Sequence, residues 1–180
     1  MNDKILFILN SKRVQAKNNE TIWDVSKREG IDIPHLCHSD KNGYKPDGNC
    51  RACVVEVQGE KTLTASCIRK PTKGMKVFTN TPKVENSQNL VLELLLADQP
   101  KIKQKNHFWN MLDKKKINKS RFLSKNKDHV PNTDQTHPAM TVSLEACIQC
   151  SLCVRACRDV QVNDVLGMSG SGANSYPIFD

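Results

Sequence analysis

A chain of 180 residues with 38% hydrophobic and only 5% aromatic side chains has room for one or two small domains with modest cores. Its formal charge of +8 suggests nucleic acid until it is located: residues 101–127 hold ten Lys/Arg against one acid, Asp113, and the remainder carries −1. The first apolar run, residues 5–9, follows Asp3 and Lys4, and residues 90–97 are interrupted by Glu93. Neither resembles a signal peptide or the roughly 20 apolar residues of a membrane span, so a cytoplasmic chain with no membrane span is expected.

The opening reads as strand, turn, strand: KILFILN, then Ser11, Lys12 and Arg13, then VQAK. A short helix follows, with Thr21 as cap, Asp24 three residues on as in a capping box, and Gly30 as stop. Pro34 keeps the chain extended into Cys37, and the Gly-, Asn-, Asp- and Pro-rich residues 38–52 suit a loop around a cofactor. VVEV at 54–57 and TLTASC at 62–67 read as a strand pair turned by Gln58-Gly59-Glu60-Lys61. Strands around one helix make a small α+β domain over residues 1–80. Ser87 is the expected cap of a second helix in which Leu90, Val91, Leu94 and Leu95 recur at helical spacing and which stops before Pro100. The leucines of 90–96, Trp23 and Trp109 read as core residues, and residues 81–136 as a helix followed by a basic connector. That connector is expected to be a solvated lysine-rich face without a nucleic-acid partner, because its aromatics are few and its periodicity indistinct. A metal-dependent nucleic-acid-binding module is the competing class.

Eight cysteines fall into two sets of four separated by 79 residues containing none. In the first, Cys37-x12-Cys50-x2-Cys53-x13-Cys67, one ligand precedes a loop, two lie on its tip and one ends a strand pair, so four thiolates can surround a small metal cluster. Gly43, Gly48 and Ala52 leave backbone N–H groups free to approach it. Four thiolates also suit structural zinc, but zinc sites usually supply two close pairs and this set has one.

The stretch IPHLCHSD…GNCRACVVEV…LTASC resembles the N-terminal 2Fe-2S domain of the large iron-sulfur subunit of respiratory complex I, of NAD-reducing hydrogenases and of NAD-dependent formate dehydrogenases. That resemblance implies a β-grasp fold for residues 1–80, with Cys37, Cys50, Cys53 and Cys67 binding a 2Fe-2S cluster.

The second set, Cys147-x2-Cys150-x2-Cys153-x3-Cys157, is the run of bacterial-type 4Fe-4S ferredoxins, with Arg158 where proline is usual. Three thiolates spaced by two residues can curl around three corners of a cubane, and in that fold the fourth, here Cys157, serves a neighbouring cluster. A zinc reading crowds four ligands into eleven residues. HPAMTVSLEACIQCSLCVRACRDVQVNDVLGM looks most like the formate dehydrogenase α subunit among these relatives. Many relatives carry a His-x3-Cys-x2-Cys-x5-Cys site after the long helix; ADQPKIKQKN has no cysteine, so that extra cluster is expected to be absent. His107, His129 and His137 have no nearby cysteines and read as ordinary surface or packing histidines.

No nucleophile with a base and no phosphate-binding glycine loop emerges, so no catalytic residues are expected in this segment. The resemblance implies part of an oxidoreductase: an electron-transfer front end made of a 2Fe-2S ferredoxin-type domain (1–80), a helix and basic connector (81–136), and an incomplete 4Fe-4S ferredoxin-type domain (137–180). Its implied partners are a downstream catalytic molybdenum or tungsten region and NAD-reducing flavin and iron-sulfur subunits. An NAD-reducing hydrogenase or a complex I-like enzyme is the alternative setting.

Overall fold

A computed structural model describes residues 4–101, 103–124, 133–136, 138–139 and 141–179, the Ala173 side chain excepted. Two compact units divide the chain: Met1–His38 with Pro46–Val91, and Ser39–Lys45 with Leu92–Asp180.

The first unit begins with the hairpin of β1 (Ile5–Leu9) and β2 (Lys12–Ala16), paired antiparallel with Phe7 opposite Val14. Its turn is Asn10-Ser11, one position ahead of the turn expected over residues 11–13. Both residues have positive φ, 48° and 70°, the backbone twist that a two-residue hairpin turn needs. Helix α1 (Ile22–Arg28) carries the expected capping box: the Thr21 Oγ1 accepts from the Asp24 N–H, and the Asp24 carboxylate accepts from the Thr21 N–H at 2.8 Å. Strands β3 (Val54–Val57), β4 (Thr64–Ala65) and β5 (Lys76–Phe78) complete a five-stranded sheet ordered β2-β1-β5-β3-β4.

Strand β5 has no clear signature in the sequence, yet it is central. It runs parallel to β1, with Leu9 beside Val77, and antiparallel to β3, with Val57 beside Val77. Only three residues long and beginning at Lys76, it offers too little alternation to declare itself locally. Its burial comes from tertiary pairing: Val77 is fully buried among Phe7, Leu9, Val14, Ile22, Val25, Val55 and Val57. Burial of side chains this size contributes roughly 1.5–3 kcal/mol each before chain entropy is subtracted.

Helix α2 spans Pro82–Ala97, so it starts well before the expected cap at Ser87. Thr81 is at its start, its Oγ1 accepting from the Val84 N–H at 3.3 Å, and proline at the first helical position forfeits no needed donor. Val84, Gln88 and Leu92 are buried at four-residue spacing, with Glu93 buried beside Leu92, whereas Leu90 and Leu94 are exposed. A glutamine takes a place in this seam because its Nε2 donates to the Val54 carbonyl at 3.0 Å. Of the leucines expected in the core, Leu92 is fully buried while Leu90 and Leu94 are exposed, so apolar spacing alone marks the buried seam only in part.

In the second unit, α3 (His107–Lys115) lies inside the stretch expected to be a solvated connector. Asn106 caps it through the Trp109 N–H, and Phe108, Met111 and Leu112 are buried, while Trp109 is only half-buried. Arg121 donates through Nε and Nη2 to Glu93 at 2.7 and 2.9 Å, and Lys103 meets Asp113 at 2.6 Å. The connector is thus partly a folded element with its own cap, core and clamps. Two short strands, β6 (Thr133–Asp134) and β7 (Val142–Ser143), pair next. A single turn, α4 (Leu152–Arg155), then widens into a π-helical stretch over Ala156–Gln161, and the hairpin of β8 (Leu166–Ser169) and β9 (Tyr176–Phe179) follows. Among the described residues no helix is long and apolar enough to cross a membrane.

Candidate metal centres

Of the first cysteine set, Cys37, Cys53 and Cys67 are buried in the first unit and Cys50 is half-buried. Cys53 directly precedes β3 and Cys67 lies just beyond the end of β4, and both belong to the buried cluster around Val55 and Val77. The start of α1 pins that corner: the Ile22 and Trp23 N–H groups donate to the Arg69 and Ser66 carbonyls at 2.8 and 3.0 Å. Ser66 in turn donates through Oγ to the Cys53 carbonyl at 2.7 Å. The capping box that starts α1 therefore also helps to hold the segment bearing Cys67.

The four thiols form two couples. The Cys37 N–H donates to the Cys50 Sγ at 3.5 Å and the Cys50 N–H to the Cys37 Sγ at 3.3 Å; Cys53 and Cys67 share a second thiol–thiol hydrogen bond. Within each couple one sulfur is favoured as thiolate. The hydrogen bond from Cys37, with backbone N–H groups including that of Ala52, outweighs burial and lowers Cys50 to about 6. The hydrogen bond from Cys67 likewise lowers Cys53 to about 7. Their partners Cys37 and Cys67 are pushed up, first by donating that hydrogen bond and then by burial.

Backbone N–H groups also reach the other two sulfurs, that of Asn49 towards Cys37 and that of Gly48 towards Cys67. Gly48 has φ +65°, a left-handed backbone that favours glycine where its N–H turns towards Cys67. Among the described residues, no three His, Cys, Asp or Glu side chains converge as a single-ion site requires. Four sulfurs in two couples, ringed by amide donors, instead suit a group that takes four thiolates and anionic sulfides.

A feature that motif reading missed lies beside Cys37. Trp23 receives His38 and His35 edge-on, with ring centroids 4.4 and 4.8 Å away, and the Lys27 Nζ sits 5.4 Å from the indole centre. The only signal in the sequence is the pair of histidines flanking Cys37.

The second set is built differently. Cys147 follows a short turn over Leu144–Ala146, and Gln149 and Ser151 take left-handed backbone, φ 55° and 58°, so the chain winds around the thiols. The Gln149 N–H donates to the Cys147 Sγ at 3.4 Å, and the Leu152 and Val154 N–H groups approach Cys150 and Cys153. Burial pushes the half-buried Cys150 thiol up, and the neighbouring Cys153 and Cys147 raise it further. Cys153 is exposed; Cys157 is buried and its Sγ accepts from the Val165 N–H at 3.3 Å. Inward-turned amides around closely spaced thiols suit a cluster here as well. His107 begins α3, away from the cysteines in sequence, and His129 and His137 lie outside the described residues.

Comparison with known proteins agrees with the first site. Residues 2–82 match the family described as a 2Fe-2S iron-sulfur cluster binding domain. The chain is 28% identical over 173 residues to an NADH-quinone oxidoreductase subunit of Rhizobium meliloti (strain 1021), covering 93% of this chain and 20% of that protein. It is 40% identical over 96 residues to the NADP-reducing hydrogenase subunit HndD of Solidesulfovibrio fructosivorans, covering 52% of this chain and 16% of that one. The chain thus spans a fifth or less of the length of these two relatives. Among solved structures, a chain of an NAD+-reducing NiFe-hydrogenase in the H2-reduced state shares the fold, with a TM-score of 0.86, 24% identity, and coverage of 97% of this chain and 74% of that chain. Residues 2–82 therefore resemble a 2Fe-2S iron-sulfur cluster binding domain, and the relatives that the chain matches are subunits of oxidoreductases.

Proposed function

We propose that this chain is a single-electron relay inside a larger NAD-linked oxidoreductase, and that it does no bond chemistry on the substrate. The observation that carries this reading is the gathering of Cys37 with Cys50 and of Cys53 with Cys67 as two thiol couples, the second of them in the sheet core. In this reading those four hold a 2Fe-2S cluster, and Cys147, Cys150 and Cys153 hold three corners of a 4Fe-4S cluster whose fourth ligand comes from outside residues 1–180. Cys157 serves a neighbouring cluster. When bound, such clusters accept and release one electron at a time.

The residues of the chain supply the rest. Cys50 and Cys53 are the two thiols of the set most favoured as thiolates, the form that ligates metal. The Gly48, Asn49 and Ala52 amides stabilise negative charge on sulfur, and the apolar core excludes water from Cys53 and Cys67. A division into 1–80, 81–136 and 137–180 is the working domain assignment.

More narrowly, we assign the relay to a formate dehydrogenase, between a molybdenum or tungsten formate site and an NAD-reducing flavin subunit. The resemblance of residues 137–168 to the formate dehydrogenase α subunit supports this. A hydrogenase setting is the second reading, favoured by the 40% identity over 96 residues to the hydrogenase subunit. The test is anaerobic purification of the native assembly, identification of its subunits, and electron paramagnetic resonance after addition of formate, H2 or NADH. Formate-dependent reduction of both clusters is expected. Reduction by H2 but not formate selects the hydrogenase setting, and a colourless, iron-free protein overturns the relay. At the second site, a stable 4Fe-4S cluster on the isolated chain that disappears in Cys157→Ala would show that all four local cysteines serve one cubane.

A further inference from the structure

Arg155 stands between Cys153 and Cys157 at the end of α4, and its side chain is only 5% exposed. Arginine is rarely buried to this degree unless its charge is held. Here Nη1 donates to the Lys45 carbonyl at 2.8 Å, and Nη2 makes a longer contact of 3.5 Å to the Cys150 carbonyl. Asp159 also feels Arg155, but it is tied at 2.8 Å to Arg158, on the exposed side of the π-helical stretch.

The carbonyl that holds Arg155 belongs to Ser39–Lys45, a segment that packs with the second unit. That segment is seated at a second point, since a Cβ on Gly43 (φ +90°) would lie 3.3 Å from the Val160 Cγ2. The guanidinium is thus fixed on both sides, next to the backbone of a cysteine, in a region where solvent screens it poorly. Arginine stays charged under all relevant conditions, so its field does not depend on pH.

We propose that Arg155 is a positioning residue of the second cysteine site whose buried, fixed charge raises the reduction potential of the iron-sulfur cluster held there. This rests on the reading of Cys147, Cys150 and Cys153 as ligands. Reduction adds one electron from the donor and breaks no bond, so a neighbouring cation favours the reduced form.

The test replaces Arg155 in the native assembly with Gln, which keeps a donor but not the charge, and with Lys, which keeps the charge. The 4Fe-4S potential is read by dithionite titration followed by electron paramagnetic resonance, with iron content measured in parallel. In R155Q the reduced-to-oxidised ratio at fixed ambient potential is expected to fall about tenfold, which is about 59 mV for one electron. In R155K it is expected to stay within about twofold of the parent, since the charge remains. An unchanged ratio in R155Q, or an equal shift in both variants, overturns the proposal. If R155Q loses the second cluster, whether or not R155K retains it, Arg155 holds the site together instead of setting its potential, and the proposal falls. Absence of any 4Fe-4S signal in the parent refutes the ligand reading itself, an outcome separate from a flat R155Q titration.

Discussion

The two cysteine sites have similar ligand counts but different supports. The first is set in a five-stranded sheet, where Cys53 and Cys67 are core residues alongside Val55 and Val77. The second is wound from local turns: left-handed backbone at Gln149 and Ser151, one turn of α-helix, a π-helical stretch, and a buried arginine. A thiol site embedded in a hydrophobic core inherits the cooperativity of that core. One wound from turns depends more on whatever it binds.

The largest expected effect breaks the first site outright. Cys53→Ala should abolish the 2Fe-2S signal and the matching iron and sulfide, because Cys53 also holds the Cys67 couple; an intact spectrum would refute its ligand role. Removing iron with a chelator sharpens the contrast between supports. Amides of β1, β3 and β5 are expected to keep slow hydrogen exchange, whereas those of residues 147–161 become fast; equal loss in both regions would show that the sheet also depends on metal.

Two glycines probe the same contrast at smaller scale. A Cβ at Gly170 (φ +73°) would collide with the Asn174 carbonyl oxygen, and backbone cannot easily retreat. Gly170→Ala should therefore cost about 3 kcal/mol and loosen the β8–β9 hairpin. At Gly48 the obstacle is the tip of the half-exposed Ile68, so Gly48→Ala should cost about 1–2 kcal/mol, mainly through its left-handed φ. Chemical denaturation of both variants, with cluster absorbance followed alongside, checks the order.

Reversal of Lys114, Lys115 and Lys116 to Glu tests the connector. Lys114 and Lys115 occupy the last turn of α3 and Lys116 caps it, so the reversal places negative charge against the helix C-terminus. A loss of about 1–2 kcal/mol from this region is expected with both clusters retained; loss of either cluster signal would make the segment part of a site.

The smallest effect concerns acid. Burial tends to raise the Glu20 carboxyl, but hydrogen bonds from Arg28 and the Lys17 N–H outweigh it and leave the group below its ordinary value. The resulting stabilisation is present above that ordinary value, near 4.5, and is lost as pH falls through the lowered one. For an ion pair at the surface it should stay below about 1 kcal/mol, and Glu20→Gln should remove that part of the acid dependence in thermal melts.

The ligand candidates were legible because cysteine spacing is itself chemical information: thiols two residues apart can only reach adjacent parts of one group. Hairpin, capping box and α1 were legible because their causes are local. The connector hides its structure for the opposite reason. Its lysines lie on exposed faces while Phe108, Met111 and Leu112 are buried on the other, and ion pairs of Lys103 with Asp113 and Arg121 with Glu93 join residues 10 and 28 positions apart.

By itself, the sequence determined which sulfurs cluster along the chain, where α1 begins and ends, and that residues 101–127 carry the excess charge. Tertiary structure alone decided that the three residues of β5 stand at the centre of the sheet, that Gln88 replaces a leucine in the buried seam of α2, and that Arg155 is enclosed beside Cys150. Each of these depends on partners far along the chain: β1 and β3 for β5, the Val54 carbonyl for Gln88, and the Lys45 carbonyl for Arg155. A polar or short segment becomes core only when a distant group satisfies its hydrogen bonds, and no local pattern records that partner.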